Sequence, residues 1–90
     1  MGISAFRRRE DEVLWRELEQ ELVLLDLRSS TYMSLNRTGA ILWEALEEAC
    51  TPEALTAVLV DTYGVTDGQA SADVRAFLDT LADSNLLVAC

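Results

Sequence analysis

The sequence predicts an α+β fold, a three-stranded antiparallel meander followed by three helices. Three observations point there. Residues 13–35 hold three short runs rich in leucine, β-branched and aromatic side chains, separated by polar turn formers. After Asn36 the apolar period changes from two to about 3.6. Helix start signals then recur down to the C-terminus. Ninety residues suffice for one domain with a single modest core.

Residues 1–11 are polar and aperiodic and read as a flexible N-terminal arm, leaving 12–90 as the single domain. The first strand is Val13-Leu14-Trp15-Arg16-Glu17-Leu18, and Glu19-Gln20 turns the chain into Leu22-Val23-Leu24-Leu25-Asp26-Leu27. The third is Thr31-Tyr32-Met33-Ser34-Leu35. A three-residue loop, Arg28-Ser29-Ser30, would pair Leu27 with Thr31, Leu25 with Met33 and Val23 with Leu35. That register buries Val23, Leu25, Leu27, Met33 and Leu35 and turns Trp15, Leu22, Leu24 and Tyr32 outward. The loop asks Ser30 for a left-handed conformation at a small cost.

Asn36 or Thr38 can cap a first helix carrying Ile41, Leu42, Ala45, Leu46 and Ala49. Thr51-Pro52-Glu53 joins a capping hydroxyl, a proline at the first helical position and an acid near the positive end of the dipole. Leu55, Val58, Leu59 and Tyr63 face the core from that second helix, and Gly64 ends it. The third starts near Thr66 or Asp67, runs to about Ser84 with Ala70, Val74, Phe77, Leu78 and Leu81 inward, and closes on Asn85. Leu86-Leu87-Val88 then returns to the core or pairs with a strand.

Composition excludes several classes of function. The chain has a formal net charge of −9 and no histidine. Residues 1–37 nearly balance, whereas 38–90 hold Arg75 alone against nine acids, a local charge of −8. Polyanions and anionic membranes are therefore poor partners. A serine or cysteine nucleophile has no histidine base, no phosphate loop is present, and Cys50 and Cys90 make no metal pattern, so neither enzyme chemistry nor a metal or cofactor is expected. A Cys50–Cys90 disulfide is formally possible, but free thiols in a cytoplasmic protein are the simpler reading. No run is long enough to span a membrane, and no apolar segment follows Arg7-Arg8-Arg9 to make a signal peptide.

Three helices beside a small sheet are winged helix-turn-helix-like, and that architecture commonly binds DNA. Here the third helix would bring Asp67, Asp73, Asp79 and Asp83 against one Arg75 and Gln69, a repulsive face for a duplex. The third strand points to a different partner. As a sheet edge it lacks the lysine, proline or bulge that usually blocks edge pairing, so it is a rail for an extended peptide. Asp73, Ala76, Phe77 and Thr80 form the facing strip of the third helix, with Val74 and Leu81 beside them. The candidate peptide site is thus Thr31, Tyr32, Met33, Ser34 and Leu35 with Asp73, Val74, Ala76, Phe77, Thr80 and Leu81. An apolar outer sheet face would be a second docking surface for a partner enzyme, through Trp15, Leu22 and Leu24.

The stretches Val23-Leu24-Leu25-Asp26-Leu27, Tyr32 through Trp43 and Ala72 through Leu81 together resemble the PqqD-like proteins over about residues 13–88. That resemblance implies a RiPP recognition element, a winged-helix-like domain binding the leader of a ribosomally made precursor peptide. The sequence is most similar to stand-alone leader-binding proteins of lasso-peptide pathways, the recognition half of a split B protein whose other half is a cysteine-protease leader peptidase. The implied leader adds as a strand beside the third strand, against the third helix. Ser30 stands where the family often has glycine, and Met33 where it often has an aromatic. A monomer, or a weak dimer through the exposed strand edge, is expected.

Overall fold

The computed structural model describes residues 4–90. Its meander is β2 (Val13–Leu18), β3 (Glu21–Asp26) and β4 (Thr31–Leu35), in the order β2-β3-β4. Three helices follow: α1 (Arg37–Ala45), α2 (Pro52–Tyr63) and α3 (Asp67–Asp83). Each helix begins at the expected kind of cap. The side chains of Asn36, Thr51 and Thr66 accept from the amides of Gly39, Ala54 and Gln69, satisfying donors a helix start leaves open. Gly64 ends α2 at φ 68°, which glycine adopts without a Cβ clash. The core is leucine-rich, with Leu24, Leu42, Trp43, Leu46, Leu55, Leu59, Val74 and Leu81 enclosed between the sheet and the helices.

The described part of the N-terminal segment is not a loose arm. Phe6–Arg8 forms β1 and pairs antiparallel with β5 (Leu87–Ala89), while Phe6 also exchanges two backbone bonds with Cys50. Residues 1–3 of the expected arm lie outside the described residues. Two arginines fasten this segment. Arg8 lays its guanidinium 4.5 Å from the Trp15 ring centroid and 5.5 Å from that of Trp43, and donates to the Trp43 carbonyl at 3.1 Å. Arg9 donates to the carbonyls of Asn85 and Asp11 and meets the Asp26 carboxylate at 2.8 Å. Buried arginines survive only with such partners.

The Arg9–Asp26 pair explains why the hairpin register differs from the expected one. Asp26 pairs with Thr31, Leu24 with Met33 and Leu22 with Leu35, so the loop is Leu27-Arg28-Ser29-Ser30 rather than three residues. Asp26 turns inward to Arg9, and its side chain also accepts from the Arg28 amide at 3.0 Å, which starts the turn. Residues two and four positions earlier must then point inward with it. Leu22 and Leu24 are accordingly 2% and 1% exposed core residues, not outer-face residues. Trp15, opposite Leu24, also faces the helices and packs edge-on against Trp43 at 5.5 Å. Val23 and Leu25 take the outer side, with Tyr32. Ser30 does adopt φ 56°, closing the longer loop.

Both thiols are free. Cys50 pairs with Phe6 on one side of β1, and Cys90 bonds the Ala5 carbonyl from the other. With chains about 4.8 Å apart, two spacings put them roughly 10 Å apart, beyond the ~7 Å Cα separation a disulfide spans.

Arg9 holds the Asp26 carboxyl below its ordinary value, helped by the Arg28 amide and opposed by burial. A depressed folded-state pKa contributes stability that is complete above the unfolded value, about 3.9, and is lost as pH falls through the folded one. Asp26→Asn is therefore expected to flatten the acid limb of the stability profile below about pH 4, checked by denaturant unfolding from pH 2 to 7. An unchanged acid limb would remove Asp26 as its source.

Candidate functional site: the β4 edge and the groove beside α3

β4 lies at the sheet edge, and among the described residues its backbone bonds only to β3. In an antiparallel pair alternate residues turn their N–H and C=O groups to the partner strand. The remaining groups of β4 point away from the sheet. The C-terminal segment does not cover them, because β5 is engaged with β1.

Beside this edge runs α3, in the opposite direction. At the Leu35 end a cavity of about 450 Å³ lies between the two elements, lined by Ser34, Leu35, Asp73, Ala76, Phe77 and Thr80. Asn36, Thr38, Gly39 and Leu42 complete it from the start of α1. At the Thr31 end a smaller cavity of about 230 Å³ is bounded by Thr31, Tyr32 and Met33 on the strand and by Ser84 and Leu86 beyond α3. The structure thus brings Ser34 and Leu35 together with four of the six α3 residues singled out from the sequence, and places Thr31, Tyr32 and Met33 around the second cavity, apart from those four.

Two helix residues fall elsewhere. Val74 and Leu81 are 1% and 0% exposed and point into the core, away from this groove. Residues 73, 76, 77 and 80 repeat at three and four positions and share one face, whereas 74, 78 and 81 make the adjacent buried stripe. Phe77 lies on the boundary, half-buried against the core and forming the groove wall.

Four residues of the larger cavity, Asn36, Thr38, Gly39 and Leu42, were not anticipated. Gly39 carried the available signal, since glycine in a first helical turn contributes nothing to helix formation. Its reason is space. A Cβ there would lie 3.2 Å from Leu35 Cβ and 3.4 Å from Phe77 Cε1. Asn36, by capping α1, fixes where that turn sits against β4.

Chemically the groove offers apolar lining (Leu35, Leu42, Phe77), a polar rim (Asn36, Thr38, Thr80) and one carboxylate, Asp73, that makes no ion pair among the described residues. The Thr80 hydroxyl already donates to the Ala76 carbonyl at 2.9 Å. Such a surface suits an extended chain that pairs with β4 and drops alternate side chains into the cleft.

Comparison with known proteins bears on this site. The family model for Coenzyme PQQ synthesis protein D (PqqD) matches residues 21–87. TbiB1, solved in complex with the TbiA(beta) leader peptide, is similar with a TM-score of 0.80 and 33% identity, over 90% of this chain and 93% of that one. A lasso peptide synthetase B1 complexed with the leader peptide gives 0.79 and 29%, over 92% and 96%. The PqqD truncation of Methylobacterium extorquens PqqCD, a stand-alone RiPP recognition element, shares the fold at 0.74 and 21% identity, over 93% and 88%. No curated protein matches the sequence.

Proposed function

This chain belongs to the PqqD family, and from that premise we propose that it is a RiPP recognition element of a lasso-peptide pathway. It binds the leader of a ribosomally made precursor by strand addition to β4, against α3, and presents it to a separate cysteine-protease leader peptidase. The chain is a carrier rather than a catalyst. The observation that carries this reading is the unblocked β4 edge beside a groove with apolar lining. Its similarity to two proteins solved holding leader peptides supports it.

The energetics are sufficient. About four strand hydrogen bonds at roughly 0.5–1.5 kcal/mol each and two or three apolar anchors at about 1.5–3 kcal/mol each oppose about 2–5 kcal/mol for ordering the leader, besides association entropy. These contributions are not additive, yet they permit micromolar or tighter binding. Fluorescence polarisation with labelled TbiA(beta) leader, and with the leader encoded beside this chain's gene, is expected to show saturable binding of that order. No binding of either peptide at about 100 µM, well above that range, would overturn the reading.

The outer sheet face favours a second contact. Leu14, Leu25 and Tyr32 lie side by side across the three strands, Leu14 and Tyr32 being 57% and 77% exposed, with Leu18 and Leu27 at the margins. Exposed apolar clusters of this kind commonly mark partner surfaces, and we place the peptidase contact here. Leu14→Lys with Leu18→Lys is expected to keep leader affinity within about twofold, as surface changes away from a site do, while lowering peptidase stimulation. Full stimulation by the double variant would move the contact elsewhere.

A further inference from the structure

A second groove lies on the far side of α3 from the leader groove, between α2 and α3 and closed at one end by the β1–β5 ribbon. Its volume is about 790 Å³. The floor is apolar: Val74 and Leu78, with the partly exposed side chains of Phe6 and Leu87. The walls carry small residues, Ala57 and Ser71, which let a guest approach closely. The rim is charged and unbalanced. Glu53, Asp67 and Asp79 stand there with Arg75, the sole cation of residues 38–90. Among the described residues none of these four makes an ion pair.

We propose that this groove is a docking site for a basic amphipathic helix of a partner protein. The helical form follows from backbone chemistry. α2 and α3 use their main-chain groups internally, so they offer no rail of amides and carbonyls. An extended guest buried here would leave its own backbone unsatisfied, whereas a helix brings its hydrogen bonds with it. The apolar floor selects an apolar stripe on that helix. The rim, with three carboxylates to one guanidinium, selects basic flanks, most favourably with one acid opposite Arg75. One helix of this protein would then serve two guests of opposite kind. An extended one lies on the Asp73–Phe77 face, and a helical one on the Val74–Leu78 side.

The test uses the full chain and two synthetic 15-residue helices with the same leucine stripe, one flanked by arginine and the other by glutamate. Binding is followed by backbone amide NMR at about 50 mM salt, where the Debye length still exceeds 10 Å. The arginine probe is expected to bind and the glutamate probe not, with shifts at 53–57 and 71–82 and at Phe6 and Leu87. Asp67→Asn with Asp79→Asn, both exposed positions, should weaken the arginine probe about threefold to tenfold, as loss of two exposed charge contacts does. Arg75→Glu should tighten it about twofold to threefold. The control pair Glu44→Gln with Glu48→Gln, on α1 and just beyond it, should change nothing, and bound leader should not displace the probe. Equal loss in the control pair, shifts confined to β4 and Phe77, or no binding of the arginine probe would each overturn the proposal. Because leader affinity is read separately, either site can fail alone.

Discussion

Phe77→Asp is expected to weaken leader binding by about tenfold to a hundredfold, from loss of an aromatic wall and burial of a carboxylate beneath the guest. The ring is half-buried, lies against the cavity and sits 3.4 Å from where a Gly39 Cβ would be. Replacing it puts a charge one helical turn from Asp73, so repulsion adds to the lost contact area. Since Phe77 is not among the enclosed core residues, the fold should survive with a melting temperature lower by several degrees, about 4–8 °C per kcal/mol for a domain this small. Phe77→Leu separates shape from charge, and its affinity should stay within about fivefold of the parent, as the smaller apolar loss implies. Gly39→Ala approaches the same wall from α1, narrowing the cavity while raising helix propensity. It should lower affinity several-fold, and the 3.2 Å approach to the buried Leu35 Cβ should offset the gain in helix propensity, leaving the protein no more stable than the parent. Polarisation titrations beside thermal melts decide the matter. A folded Phe77→Asp protein that binds leader as tightly as the parent would remove the α3 groove from the site.

The helices were legible because their signals are local. Thr51-Pro52 and Gly64 bound α2 within one residue of the expected ends, and a hydroxyl cap needs only its own turn to be recognised. The order of strands was equally plain from period and turn residues. Register was not, because it depends on a contact across the fold. Asp26 reads as an isolated acid in an apolar run, and alternation alone places either Val23 and Leu25 or Leu22 and Leu24 inward. The choice is made by Arg9, seventeen residues upstream in a segment without periodicity. Arg8 was hidden for the same reason, since its partners Trp15 and Trp43 come from a strand and a helix. The edge position of β4 was unaffected by this error, because strand identity and order do not depend on register. The outer face changed with it: Trp15, Leu22 and Leu24 turned inward, Leu14 and Leu25 took their places, and Tyr32 stayed outward as expected. Val74 and Leu81 were misplaced by a smaller angle, one residue around α3 from the groove.

Of the proline variants Met33→Pro and Ser34→Pro, one is expected to lose leader binding by at least about tenfold with little change in stability, and the other to lose stability. Adjacent residues of β4 turn their backbone groups in opposite directions, since Met33 is paired with Leu24 and Ser34 with Val23 in alternating kinds of pair. Whichever amide faces β3 is part of the native ladder, and removing it unpicks the edge of the sheet. The other faces the open side, where a proline is tolerated in the free protein because that N–H had no internal partner. For a guest strand the same proline is damaging. It deletes one donor, worth about 0.5–1.5 kcal/mol net, and its ring stands where the guest backbone must approach. Denaturant unfolding identifies which variant keeps the native ladder, and leader titration of that variant gives the answer. Undiminished affinity there would mean that the guest sits in the cleft by its side chains alone, leaving Phe77 and Gly39 in the site and β4 out of it.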